Sequence, residues 1–176
     1  MATLFILFTG LAAAVVTDVR TRRIPNWLTG AIAGAGFGLA CGGGTVTPLQ
    51  AALGLLAGLL LMMPGHVIGA TGAGDVKLMA AVGAIVGLWN WIGILVLTSI
   101  FGGVAAIVLV SKTGRVRSTF RNIWTILRSL THRQAPYESN PELDVRNEQA
   151  VRLPHAVTIA FGAMGFLIAA YVWAPR

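Results

Sequence analysis

Six apolar segments run through this chain, and they limit what it can fold into. They lie at about residues 2–16, 27–41, 49–68, 76–89, 91–110 and 154–173. The core of a bilayer has no water to bond backbone N–H and C=O groups, so apolar segments of about 20 residues cross it as helices. The shorter segments in this chain imply short or tilted helices. Charged residues make up 11% of the sequence, against about 25% in soluble domains. We therefore predict an all-α, polytopic membrane protein with about six transmembrane helices, in a single domain over residues 1–176.

Glycine and proline residues indicate where the segments begin and end. Pro25 suits the first turn of the second helix, and three glycines at 42–44 end it. Pro64 is expected to kink or end the third helix, which leaves residues 65–74 as an irregular, glycine-rich approach to Asp75. The first segment also resembles a signal peptide, but its basic residues follow the apolar run instead of preceding it. That order favours a retained helix.

The basic residues indicate the topology. Twelve of the 13 Lys and Arg residues lie in the segments 18–27, 69–77 and 111–153, whereas the connections at 43–48 and around Asn90 contain none. The positive-inside rule assigns the basic segments to the cytoplasm and both termini to the outside. A net charge of +7 would also suit nucleic acid, but basic residues confined to connections between apolar segments favour a multi-pass protein of the cytoplasmic membrane with no nucleic-acid partner.

The long polar region at about 111–153 begins with a basic amphipathic pattern. From Arg115 to Thr131 the apolar residues recur at helical spacing, and arginines and small polar residues fill the other positions. Such a cytoplasmic helix either lies on anionic membrane lipid or packs against the protein's own helices, and the pattern fits both. Residues 132–148 hold four acidic residues and two prolines and are predicted to form a flexible loop.

Two acidic residues precede position 138, and each lies at the end of an apolar segment. Asp18 follows the first segment and Asp75 precedes the fourth, so the predicted topology puts both at the cytoplasmic face. Carboxylates near hydrocarbon are costly and mark functional sites by default. Two carboxylates brought together share a proton, so that one can act as general base on a water and the other as general acid. We predict Asp18 and Asp75 to be the catalytic pair of an aspartic peptidase that needs no metal or cofactor.

Asp75 ends the sequence Gly-Ala-Gly-Asp at 72–75, which suggests a role for its neighbours. Gly72 and Gly74 permit positive φ and let a substrate backbone approach closely. The simpler interpretation is a turn in which Asp75 caps the next helix, and both can hold at once. Lys77 either favours the ionised form of Asp75 and binds substrate backbone, or extends to the membrane interface. Gly72, Gly74 and Lys77 are therefore the candidates for substrate approach.

Two motifs resemble those of the prepilin peptidases, the GxGD-type membrane aspartic proteases. Residues 17–26, Thr-Asp-Val-Arg-Thr-Arg-Arg-Ile-Pro-Asn, resemble the first aspartate region of that family, and residues 72–78 resemble its second, G-x-G-D-x-K-L. Asp18 and Asp75 correspond to the family's catalytic aspartates. Residues 153–160 resemble its C-terminal P-Y-G-x-A-I-A stretch loosely, because His155 replaces the aromatic residue and Ala156 the glycine. No site residue is taken from there.

The resemblance implies an endopeptidase that removes the short basic leader of type IV prepilin-like or pseudopilin precursors, after a glycine and at the cytoplasmic face. Larger members of the family carry an N-terminal domain with paired cysteines that accompanies N-methylation. This chain begins with its first helix and has one cysteine, Cys41. The resemblance therefore implies the short, peptidase-only form, similar to those of tight-adherence (Flp) pilus systems, without N-methyltransferase activity.

Two functions of other classes fit parts of the pattern. A small ion-coupled transporter could use the two aspartates as cation sites, but it would keep an acid near the bilayer midplane and often shows internal repeats. A non-catalytic membrane subunit of a pilus assembly would not need both aspartates. The three histidines lack the spacing of zinc ligands, and the adjacent Ser111 and Lys112 give little support for Ser–Lys catalysis.

Overall fold

The computed structural model describes residues 2–67, 71–114, 116–131 and 154–173. The regular structure of these ranges is helical: α1 (Ala2–Thr21), α2 (Asn26–Cys41), α3 (Pro48–Val67), α4 (Ala73–Lys112), α5 (Val116–Thr131) and α6 (His155–Trp173). The all-helical prediction is confirmed. Four of these helices, α1, α3, α4 and α6, are long and apolar enough to cross a membrane. At 16 residues α2 is short for a crossing, and the count of six crossings stays a prediction.

α4 is two antiparallel arms joined at a sharp reversal. Gly87 has φ 76° and ψ 169°, a backbone conformation that glycine adopts readily and other residues rarely. Trp91 Nε1–H donates a hydrogen bond to the carbonyl oxygen of Met79 at 3.0 Å, although a straight helix would hold these residues about 18 Å apart. The first arm therefore covers residues 73–86 and the second arm residues 88–112. The sequence put this reversal near Asn90, three residues too late.

The first arm is the centre of the bundle. Its residues from Leu78 to Val86 are all buried, as is Gly87 after them. The neighbouring helices reach its backbone through pairs of small residues, which are Gly36 with Ala84, Gly54 with Gly83, and Gly58 with Ala80. A Cβ on Gly58 would lie 2.5 Å from Ala80 Cα, and a Cβ on Gly54 would meet the carbonyl group of Gly83. Contacts this close are what small residues provide where lipid supplies no hydrophobic drive between helices.

The two connections that lack Lys and Arg lie at the same end of the bundle. Gly87, at the reversal of α4, packs against Val46 and Gln50, and a Cβ there would be 3.3 Å from Val46 Cγ1. At the opposite end, Lys77 in α4 reaches Asn26 at the start of α2. The one-sided distribution of basic residues in the sequence therefore corresponds to two distinct ends of the folded chain.

α6 packs antiparallel along the second arm of α4. Gly162 lies against Thr98, and Gly93 lies against Phe166. Further along, the rings of Phe101 and Phe161 are 6.1 Å apart. Because residue numbers fall in one helix as they rise in the other, α6 begins at the end of the bundle that carries Lys77 and Asn26.

The structure corrects two expected boundaries. α3 continues through Pro64 and ends at Val67, within one turn of the proline, so residues 65–67, expected to be irregular, are helical. Pro64 has no N–H, so the helix lacks the hydrogen bond from residue 64 to the carbonyl oxygen of Leu60. α4 begins at Ala73 instead of Val76, which puts Asp75 inside its first turn. α5 confirms a helix at Val116–Thr131, while the loop predicted at 132–148 lies outside the described residues.

Packing at the small-residue pairs generates the first prediction. Gly54→Ala is expected to destabilise the protein by about 1–3 kcal/mol, because the added methyl group forces α3 away from the first arm. Gly38→Ala is the matched control, since a Cβ there meets nothing within 4 Å and alanine favours a helix. Thermal unfolding in detergent should show a lower Tm for Gly54→Ala only. Equal Tm values for the two variants would contradict the central role of this contact.

Candidate active site

Asp18 is directed into the bundle by the buried face of α1. The buried residues of this helix recur at helical spacing, at Leu7, Gly10, Leu11, Ala14 and Asp18. Asp18 is 8% exposed. An ionisable side chain that continues an apolar stripe into the interior needs polar partners there, and the following contacts supply them.

The chain beyond Asp18 turns sharply and meets the start of α4. Arg22, in the left-handed region with φ 55°, donates its N–H to the carbonyl oxygen of Asp18 at 2.8 Å, which ends α1 with a left-handed residue as many helices end. Two residues later Ile24 is buried. A Cβ on Gly74 would lie 3.1 Å from Ile24 Cβ. The segment after the first aspartate therefore packs on the turn that carries the second.

Asp75 caps its own helix. Its Oδ2 accepts the N–H of Gly72 at 3.3 Å, as acidic residues in the first turn of a helix do. The residue before Gly72 is tied to the end of α3, because Thr71 N–H donates to the carbonyl oxygen of Gly65 at 3.1 Å and Nδ1 of His66 lies 3.0 Å from Thr71 O. The capping interpretation of this motif is confirmed, and it leaves room for a second role.

Three helix ends bring Asp18, Asp75 and His155 together. The Asp75 carboxyl interacts electrostatically with both Asp18 and His155. Asp18 Oδ2 in turn accepts the backbone N–H of Ala156, the second residue of α6, at 3.2 Å. The two aspartates, far apart in sequence, are therefore neighbours at one end of the bundle, where the last turns of α1 meet the first turns of α4 and α6.

His155 and Ala156 are the members of this cluster that sequence reasoning missed. Their departure from the family's aromatic residue and glycine was the reason for taking no site residue from residues 153–160. The signal that would have found them is positional. Pro154-His155-Ala156 begins an apolar segment on the side assigned to both aspartates, so the start of that helix belongs near their level.

The three candidates for substrate approach have partners within the chain. Gly72 has φ −73°, and the glycines with positive φ in the described residues are Gly43, Gly87 and Gly114. Gly72 and Gly74 therefore do not use the positive φ that glycine permits, and Gly74 instead lies against Ile24. Lys77 Nζ donates to Asn26 Oδ1 at 2.8 Å, which links α4 to α2 two residues after Asp75.

Together these features define an all-helical, multi-pass membrane protein with two carboxyl groups held at the meeting point of three helix ends. The model of the type IV leader peptidase family matches residues 5–107. This match covers more than half of the chain, so the chain belongs to the type IV leader peptidase family, as its motifs predict. The matched range includes Asp18 and Asp75, whereas His155 lies beyond it. No curated protein and no solved structure matches the chain.

The Lys77–Asn26 hydrogen bond generates the second prediction. Lys77→Met and Asn26→Ala should each lower the rate of peptide cleavage by about tenfold, because a hydrogen bond from a charged group is worth about 1.5 kcal/mol and this one holds the first turn of α4 in place. Since both variants remove one bond, the double variant should be no worse than either single variant.

Lys112→Met is the control for this cycle, because Lys112 is an exposed lysine at the other end of the same helix. Additive losses in the double variant would show that Lys77 and Asn26 act separately. The measurement is the initial rate of cleavage of a leader-bearing peptide by the purified protein.

Proposed function

We propose that this protein is an aspartic endopeptidase that removes the short basic leader from type IV prepilin-like or pseudopilin precursors. Family membership makes it a leader peptidase with prepilin-type substrates. The observation that supports the aspartic mechanism is the position of the two aspartates at adjoining helix ends. Asp18 accepts the N–H of Ala156 at the start of α6, and Ile24, which follows Asp18, packs on Gly74 beside Asp75. Two carboxyl groups at one place are the minimal equipment for acid–base hydrolysis of an amide.

The reaction follows from two neighbouring carboxyl groups that hold one proton between them. The ionised carboxylate takes a proton from water as the water oxygen attacks the scissile carbonyl carbon, and the protonated partner donates its proton to the carbonyl oxygen. The tetrahedral intermediate then collapses. Its C–N bond breaks, the leaving nitrogen receives a proton from the first carboxyl group, and the hydroxyl proton returns to the second, so that both regain their starting states.

The surrounding residues prepare the carboxyl groups for this work. The Ala156 N–H holds one oxygen of Asp18, and the Gly72 N–H holds one oxygen of Asp75. Backbone donors cannot rotate away as side chains can, so they fix the orientation of both groups before substrate binds. His155, at the start of α6, adds an imidazole that interacts electrostatically with Asp75.

The substrate is proposed to approach along the side of Gly72 and Lys77. Ile24 fills the space beside Gly74, so the exposed Lys77 and the half-buried Gly72 are the accessible part of the motif. The distribution of Lys and Arg supports a cytoplasmic position for this end of the bundle. An Flp-type precursor and a peptidase-only activity are proposed on the resemblance of the motifs.

The location of the carboxyl groups favours a peptidase over an ion-coupled transporter. Asp18 lies in the last turns of α1 and Asp75 in the first turn of α4. A transporter needs its ionisable groups near the middle of the membrane, where access alternates between the two sides. Residues at helix ends meet a substrate whose cleavage site lies at the membrane boundary.

Substitution of the aspartates provides the third prediction. Asp18→Asn and Asp75→Asn should each lower processing by about 100-fold or more, because an amide can serve neither as general base nor as general acid. Asp144→Asn, outside the proposed pair, is the control and should process normally. The assay is co-expression with a prepilin-like precursor, read as the size shift of the pilin on a gel, with membrane insertion checked by fractionation. Normal processing by either site variant would refute the paired mechanism.

Removal of the imidazole provides the fourth prediction. His155→Gln should lower kcat by about tenfold, equivalent to about 1.4 kcal/mol, with little change in KM, because the imidazole acts on Asp75 and not on the remote parts of the substrate. His132→Gln is the control histidine. An unchanged kcat, or an effect confined to KM, would remove His155 from the acid–base machinery. The measurement is steady-state cleavage of a leader-bearing peptide at several pH values.

A further inference from the structure

α5 is attached to the bundle by its first end and exposes large apolar side chains. A turn at Thr113 and Gly114, the latter with φ 65°, separates it from α4. Of the side chains described, Phe120 is 71% exposed and Trp124 is 69% exposed. Exposed aromatic residues on one helix mark a contact surface, since covering an apolar area of this size stabilises the resulting contact.

The polar residues of α5 are arranged as a stripe of positive charge beside the apolar face. Arg117, Arg121 and Arg128 are separated by four and seven residues, so they fall within an arc of about 40° on a helix. Val116, Phe120 and Ile123 occupy the adjoining arc, with Trp124 between the two. The helix contains no Asp or Glu. A surface that is both anionic and partly apolar would match the arginine stripe and the apolar face beside it.

The position of α5 in the fold selects the membrane as that surface. α6 and the second arm of α4 are antiparallel, with Thr98 beside Gly162 and Gly93 beside Phe166. The same spacing puts the start of α6, and with it the aspartates, beside about residue 105, so Lys112 lies about 10 Å further along the arm. α5 therefore begins where an apolar helix leaves the membrane, on the side of the candidate active site.

We propose that α5 lies along the membrane surface and binds anionic phospholipid beside the candidate active site. The apolar side chains enter the boundary between headgroups and acyl chains, and the arginines bind lipid phosphates. The rest of the polar region and a second copy of the chain are competing covers for the same face. They differ from lipid in that they would exclude small apolar molecules dissolved in the bilayer.

A spin label tests which cover is present. The chain has a single cysteine, Cys41, which is exposed, so Cys41→Ser gives a background for labelling the full-length protein at Phe120→Cys, or at Asn122→Cys on the polar side. The labelled proteins are placed in nanodiscs of phosphatidylcholine alone or with a rising fraction of phosphatidylglycerol. Collision rates with oxygen, which dissolves in lipid, and with a water-soluble nickel chelate are measured by electron paramagnetic resonance.

Lipid contact predicts that oxygen access to the label at 120 rises, and nickel access falls, as phosphatidylglycerol is added. The label at 122, on the polar side, should stay more accessible to nickel than to oxygen. Each arginine contributes about fivefold to the preference for anionic lipid. Arg117→Gln together with Arg121→Gln should therefore weaken the lipid-bound state about 25-fold at a fixed fraction of phosphatidylglycerol. Arg23→Gln, at an exposed arginine just after α1, should leave it unaltered.

Three results would overturn the proposal. Protection of the label at 120 from both oxygen and nickel would show that protein covers the face. Equal access in nanodiscs with and without phosphatidylglycerol would show that charge has no part in the contact. An unchanged response in the double arginine variant would show that the arginines do not bind the lipid. None of these readouts depends on peptidase activity.

Discussion

The close approach of backbones around the first arm of α4 is the contact on which the rest of the structure depends. Apolar side chains gain little by leaving lipid for a protein interior that is equally apolar, so helix association in a membrane depends on shape and on hydrogen bonds. Glycine and alanine supply that shape where Gly54 and Gly58 meet the first arm. The arm in turn carries Asp75 at its start. A contact in the middle of the bundle thus sets the position of a carboxyl group at its end.

Each of the two aspartates accepts a hydrogen bond from a backbone N–H group. A buried ion pair would have to repay the desolvation of two charges, and it would also hold the carboxylates in their ionised form. Backbone N–H groups orient Asp18 and Asp75 without adding a full charge. In the proposed mechanism, this arrangement leaves the proton of the pair available for chemistry.

Sequence reasoning predicted the parts of the fold that depend on composition and periodicity. The apolar helices and the helix α5 follow from residue types at regular spacing, and the two aspartate motifs indicate the family. The position of the reversal in α4 did not follow, because Gly87 is one of many glycines and only the hydrogen bond from Trp91 to Met79 distinguishes it. The continuation of α3 through Pro64 depends on how near the helix end lies, which spacing alone does not determine.

The candidate site likewise combines features that the sequence predicts with features that only the packing of the helices reveals. Asp18 and Asp75 are visible in the sequence because acids are rare in its apolar part. His155 was not taken as a site residue because it replaces the family's aromatic residue, and its position near Asp75 comes from the packing of α6 along the second arm of α4. The contact of Gly74 with Ile24 was likewise invisible, because it joins two segments about 50 residues apart. Glycines in such motifs are easily assigned to the substrate when they serve the protein itself.

The hairpin formed by α4 also limits how the chain can enter the membrane. Its first arm, residues 73–86, is about 21 Å long at 1.5 Å per residue, short of the roughly 30 Å of a hydrocarbon core. The arm is enclosed by α2, α3 and the second arm, and Trp91 bonds a carbonyl group within it. During synthesis the first arm is therefore unsuited to insertion alone. Because Asp18 accepts the N–H of Ala156 in α6, the cluster at this end of the bundle is completed only when the last helix has been made.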